Sequence, residues 1–153
     1  MNDFFMENTL QREVSAAQNG KSSSKLLRLI WGSLLVILAL NAFGGGYYAL
    51  AGAKGIPVEW LKGSPFHSYV IPGLFLLIVI GGGALVTAIM VFAGHRKAFL
   101  WNLILCLIVF AWLIIQVSII GLVSFMQPVT ALATMLILLL SLIYKNRLLS
   151  VNL

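Results

Sequence analysis

Glu59 and His67 could form a general acid/base pair, a carboxylate and an imidazole that exchange a proton with a bound substrate. They share the stretch 55–73, Gly-Ile-Pro-Val-Glu-Trp-Leu-Lys-Gly-Ser-Pro-Phe-His-Ser-Tyr-Val-Ile-Pro-Gly, which also holds three of the four prolines and the only acid outside the N-terminal region. Simpler roles exist for both residues. Glu59 is a charge that favours a helix start, and His67 is an interfacial residue. The single cysteine, Cys106, sits in an apolar run. Without a second thiol the chain cannot pass electrons through a cysteine pair, so Cys106 is expected to be a small packing residue.

The remaining candidates are uncharged. Asn41 and Gln116 are amides within long apolar runs, and Trp112 lies four residues before Gln116, one helical turn away on the same face. Gln127, Thr130, Thr134 and Ser141 recur at spacings of three, four and seven, drawing a polar stripe along one side of a helix. Inside a membrane such groups hydrogen-bond one another and fix helix register, at about 0.6 kcal/mol per contact. They also suit a pocket for an amphiphile, a lipid headgroup or a quinone-like ring. Trp112 would then be a wall and Asn41 and Gln116 donors, with Gln127 beside them and Glu59 and His67 on the loop above. No acid or base stands in the middle of an apolar run. That argues against proton-coupled export of the small multidrug transporter kind, which relies on an intramembrane carboxylate.

The elements that must position these residues follow from composition. Of 153 residues, 61% are hydrophobic and 9% charged, and the mean hydropathy is +1.03. A soluble domain is about half apolar and about a quarter charged. The chain is therefore an integral membrane protein, and its backbone polar groups must be satisfied inside lipid. The apolar runs are continuous over about twenty residues, the length of a spanning helix, and lack the alternation of a barrel. The expected fold is all-α: four transmembrane helices at about 25–50, 72–93, 99–123 and 128–144, in an antiparallel up-down bundle. Residues 1–24 form a polar tail, 25–144 the membrane domain and 145–153 a short C-terminal tail.

Within the tail, Asp3 could cap a helix whose Met6, Leu10 and Val14 share one face, suited to lying on a membrane surface. Asn-Gly-Lys-Ser-Ser-Ser at 19–24 has the composition of a linker. In the long loop, Pro57, Glu59, Lys62 and Gly63 match the start and stop signals of a very short helix, and Ser64-Pro65 begins another turn. Trp60, Phe66 and Tyr69 are expected at headgroup depth. Two glycine triplets, Gly44, Gly45 and Gly46 and then Gly81, Gly82 and Gly83, remove side chains over a turn each. They are expected to let helices approach closely; a local break or a hinge is the other use.

Net charge is +6, yet the basic residues flank apolar runs instead of forming a patch for phosphates, so no nucleic-acid partner is expected. With four spans, Arg12, Lys21, Lys25, Arg28, Arg96, Lys97, Lys145 and Arg147 share one side against Lys54 and Lys62 on the other. The positive-inside rule places both termini in the cytoplasm. Trp31, Trp101 and Tyr144 then fall at the inner boundary, and Tyr47, Tyr48 and Phe125 at the outer one. His67 and His95 lie at opposite faces, so no metal site is expected.

The run Gly-Ile-Pro-x-x-x-Leu-x-Gly-Ser-Pro-Phe-x-x-Tyr-x-Ile-Pro-Gly-Leu at 55–74 resembles a segment of small, uncharacterised bacterial four-span membrane proteins, as do Trp112-x-x-x-Gln116 and Gln127-Pro128. The resemblance covers about 20–130. It implies a bacterial inner-membrane setting and no particular activity, substrate or cofactor. The first expectation for function is a non-catalytic accessory or scaffold acting through helix and lipid contacts, with membrane lipids, a membrane-protein partner or a second copy as partners. The second is a binder or carrier of a small amphiphile in an outward-facing pocket. The third is a lipid-directed enzyme that depends on Glu59 or His67.

Overall fold

The computed structural model of the chain describes the backbone of residues 2–62, 64–122 and 124–151 and most of their side chains. Helix α1 runs from Asn2–Leu50. A short 3-10 turn, Val58–Leu61, interrupts the long loop. The second span is built from α2 (Val70–Leu74), a π-helical segment (Phe75–Gly82) and α3 (Gly83–Phe92). Helices α4 (Ala98–Ile120) and α5 (Met126–Val151) complete the chain. Four segments are long and apolar enough to cross a membrane: Ser22–Leu50, Val70–Phe92, Ala98–Ile120 and Met126–Arg147. The fold is an all-α, polytopic bundle.

Each span buries a stripe with helical period. Trp31, Leu35, Leu38, Ala39 and Ala42 of α1 meet Ala84, Ala88 and Val91 of α3, Leu105, Cys106 and Val109 of α4, and Ile137 of α5 in one core. Helix α1 packs against the second span and α5, and α4 packs against the same two elements, which closes a ring of four. The outward faces are apolar as well: Ile37, Leu40, Ile89, Leu107, Ile114 and Leu132 are all exposed. In water such a surface would drive association; in a bilayer lipid tails solvate it.

Several local expectations change. No linker separates a surface helix from the first span: α1 continues through 19–24, where the Ser24 hydroxyl donates to the Gly20 carbonyl at 3.0 Å. At 1.5 Å per residue, α1 is about 70 Å long, more than twice a hydrocarbon thickness of about 30 Å. The Asp3 cap and the Val14 side chain fall outside the described residues, as do Gly63 and the Trp60 side chain. The start signals place Pro57 at the first helical position, but it is extended and stands just before the 3-10 turn, and no second helical turn forms at Ser64-Pro65. There the Ser64 hydroxyl donates to Leu61 O at 2.8 Å and accepts from Phe66 N at 3.2 Å, closing a bend. The second span begins at Val70, and Pro72 sits in its first turn, where the missing N–H costs little.

Sharp stops separate the helices. At the end of α1, Gly52 N–H donates to Ala49 O and Ala53 N–H to Tyr48 O, and at the end of α3 Gly94 and His95 repeat the pattern with Val91 O and Met90 O. Both are paired C-terminal bonds that need a left-handed residue, and glycine supplies it at φ +92° and +67°.

The glycine triplets do not break their helices. Gly82 and Gly83 have ordinary helical dihedrals, φ −62° and −61°. A Cβ on Gly46 would stand 2.8 Å from the Gly73 carbonyl oxygen, and one on Gly81 2.7 Å from the Phe43 ring. Gly45 and Gly83 would make milder contacts, with Leu76 and Leu105. These four glycines let α1 and α4 approach the second span. Gly44 and Gly82 meet nothing within 4 Å. The Gly81, Ala84 and Ala88 face is buried within the bundle, so it presents no surface to a partner.

Candidate functional site

At the loop end of the bundle all four spans part around a cavity of about 650 Å³. Asn41 reaches it from α1, Trp112 and Gln116 from α4, and Gln127 and Thr130 from the start of α5. The i, i+4 spacing that put Trp112 and Gln116 on one face aims both at this space. From the π-helical segment, Phe75 stacks on Trp112 with ring centroids 4.6 Å apart and planes inclined by 23°. Leu76 and Ile80 of the same segment line the cavity. The extra residue per turn of a π segment had no signal in the sequence, and such segments frequently occur at functional sites.

The loop forms the roof. Ala53 and Ile56 line the cavity from above, with Tyr48 and Tyr69 at its edge. Both phenols are tied back to the loop: the Tyr48 hydroxyl donates to the Lys54 carbonyl and the Tyr69 hydroxyl to the Pro57 carbonyl at 2.8 Å. Burial, and after it the negative charge of Glu59, pushes the Tyr69 phenol above its usual range, so it stays neutral and keeps that donor. The 3-10 turn rests against α4.

The polar groups of the cavity divide into engaged and available ones. Gln127 is 4% exposed, and its amide donates to Gly121 O at 3.1 Å and accepts from Ser124 N at 3.4 Å. It shapes the turn between α4 and α5. Asn41 and Gln116 make no hydrogen bond among the described residues; Asn41 is exposed, and Gln116 has no amide atom sealed from solvent. Their donors and acceptors remain open to the cavity.

Glu59 and His67 are placed elsewhere. With Lys62 and Phe66 they line a separate, shallower depression of about 340 Å³ on the loop. The expected binding set thus separates into four residues around the bundle cavity and two above it. Among the described residues no group of three His, Cys, Asp or Glu side chains could hold a metal ion.

The polar stripe of α5 does face the interior, since Gln127, Thr134 and Ser141 are buried. Its hydroxyls are spent within the bundle. Thr134 donates to Thr130 O at 2.7 Å and Ser141 to Leu138 O at 2.7 Å.

At the opposite end, toward the termini, lies a polar cluster that the sequence reading missed. Trp31 Nε1 donates to Asn102 Oδ1 at 3.0 Å, and Asn102 Nδ2 donates to the Ser141 hydroxyl at 3.1 Å. All three residues are at most 1% exposed. Trp31 is therefore not a headgroup aromatic; its ring lies 5.7 Å from that of Tyr144 inside the bundle. The signal lay in the spacing of Ala98, Asn102, Leu105, Cys106 and Val109, which puts Asn102 on the buried stripe of α4. By contrast Trp101 is 46% exposed.

The chain matches no family model, no curated protein and no solved structure.

Proposed function

We propose that this protein binds, or carries, a small amphiphile in the cavity at the loop end of its bundle. The observation that carries the reading is the convergence of Asn41, Trp112 and Gln116 on one cavity, with both amides unengaged. Its size lies within the range of about 300–1,000 Å³ usual for ligand pockets, and its pattern is theirs too, an apolar lining with few polar groups. The π segment that carries Phe75 onto Trp112 supports the same reading, because it builds an aromatic wall for a ring or chain to lie against.

The scaffold reading loses its best surface, since the small-residue face of α3 is used inside the bundle. The enzyme reading has Glu59 and His67 on a depression of their own, apart from the cavity. For the setting, we propose a bacterial cytoplasmic membrane with both termini inside. The eight-to-two distribution of basic residues and the resemblance of the 55–74 loop support it.

Native mass spectrometry of protein released gently from its own membrane tests the binding. The wild type is expected to carry a discrete mass that a Trp112→Ala, Gln116→Leu variant loses while its helical circular dichroism is retained. A wild type that carries no small molecule, or only a protein partner, would return the scaffold reading to first place.

A further inference from the structure

We infer that the cavity takes an uncharged lipid, one whose head carries hydroxyl or carbonyl oxygens and no phosphate, carboxylate or ammonium, and that this lipid enters sideways from the bilayer between α1 and α5. The inference rests on the amphiphile reading above and adds the class of ligand and its route.

The route follows from where the cavity wall is open. Its exposed lining residues are Leu40, Asn41, Gly44 and Tyr48 on α1, and Ser124 and Met126 at the start of α5. Every described lining residue on the second span and on α4 is buried or half-buried. The two helices that flank the opening are held together at the other end, where Trp31 packs on Tyr144 and Arg147 donates to the Ser23 hydroxyl. The opening is therefore a slot that widens toward the loop. Leu40 lies ten residues before the end of α1, so the slot reaches about 15 Å down the helix. That is half of a hydrocarbon core of about 30 Å, the depth of one leaflet.

Gly44 stands in this slot. A glycine inside a helix costs about 1 kcal/mol relative to alanine, and Gly44 gains no close packing in exchange, since nothing lies within 4 Å of the place its Cβ would occupy. Its consequence is to leave the slot clear.

The class follows from charge. None of the described residues that line the cavity is an acid, a base or a histidine. The backbone donors at the start of α5, the other common anchor for an anion, are already used. Met126 N–H donates to the Ser124 hydroxyl at 3.2 Å and Gln127 N–H to Ser124 O at 3.2 Å, while residue 128 is proline. A charged head would enter an apolar space with no counter-charge, which costs several kcal/mol. A hydroxyl or carbonyl oxygen is instead served by the two open amides of Asn41 and Gln116, each a donor and an acceptor.

The test uses two photoactivatable probes with identical chains and a diazirine near the head, a diacylglycerol and the corresponding phosphatidic acid, in phosphatidylcholine vesicles holding the full chain. Labelled peptides are mapped in the wild type, in Gly44→Trp, and in Gly82→Trp, the last a bulky change at the other triplet glycine that meets nothing and lies off the cavity. Gly44→Val repeats the block with a smaller group should tryptophan disturb folding. The diacylglycerol is expected to label the α1 and α4 cavity peptides at least about tenfold more than the phosphatidic acid. That labelling should be lost in Gly44→Trp and kept in Gly82→Trp. Equal labelling by phosphatidic acid overturns the uncharged class and leaves the binding reading standing. Full labelling in both Gly44 variants overturns the sideways route. No cavity labelling of the wild type by either probe overturns the amphiphile reading, and this inference with it.

Discussion

Asn102 is the amide with most at stake in folding. It is fully buried and joins α1 to α5 by accepting from Trp31 and donating to Ser141. Replacing it with leucine leaves the Trp31 N–H without a partner in an apolar interior. Such a loss costs about 1–3 kcal/mol, near the upper end of intramembrane hydrogen bonds. Thr134→Val should cost less, because that hydroxyl bonds only to the carbonyl one turn before it in the same helix. Denaturation of the two variants in detergent, followed by circular dichroism, should place Asn102→Leu clearly below Thr134→Val; coincident midpoints would mean that the network adds nothing. Asn41 and Gln116 are legible in the sequence because they stand alone in apolar runs, and Trp112 because it shares a face with Gln116. Asn102 follows Trp101 near a helix start, where amides and aromatics are ordinary, and its partner Trp31 lies three residues after Arg28, in the basic flank where interfacial tryptophans occur. Only the tertiary pairing of residues distant in the chain turns both inward.

For the helices, length and apolar period were enough to give four spans to within a few residues, since the bilayer sets how long each must be. Interruptions were harder. No local pattern announces the π segment, in which Phe75 stacks on Trp112 of α4 and Gly81 lies against Phe43 of α1. Likewise, the 19–24 stretch has a linker's residues but remains helical as a continuation of a span already nucleated. Two glycines show how contact and not composition decides an element's role. A Cβ on Gly73 would lie 2.8 Å from the Ala49 Cβ and 3.0 Å from the Gly46 carbonyl oxygen, both on a backbone that cannot step aside. Gly73→Ala should therefore push α1 off the second span and cost about 1–3 kcal/mol. Gly44→Ala fills open space and should gain up to about 1 kcal/mol from helix propensity. Thermal unfolding in detergent should move the two midpoints in opposite directions, and a Gly73→Ala protein as stable as the wild type would refute the close crossing.

On the scale of the whole molecule, the bundle has two unlike ends, and the asymmetry bears on how it inserts. The end with the termini gathers the basic residues: the Arg28 guanidinium lies beside the Gly94 turn, Arg147 bonds to Ser23, and the Lys145 ammonium stands 4.5 Å from the centre of the Phe99 ring. The loop end carries the cavity, its roof and only Lys54 and Lys62. Lysine and arginine are held back from translocation far more strongly than acids are, so the terminal end should stay in the cytoplasm and the cavity should open in the outer leaflet. A fluorescent protein fused after Leu153 should then glow and alkaline phosphatase at the same place should be inactive, whereas phosphatase inserted after Gly55, in the exposed loop, should be active. The opposite pattern would turn the molecule over and move its cavity to the inner leaflet. Replacing Arg96 and Lys97 by glutamate, in the turn between the second and third spans, removes two of the eight basic residues at the end with the termini. If charge alone holds the orientation, six basic residues still outweigh two and the reporters should read as before; an inversion by this change alone would show that the middle turn, and not the flank of the first helix, directs insertion.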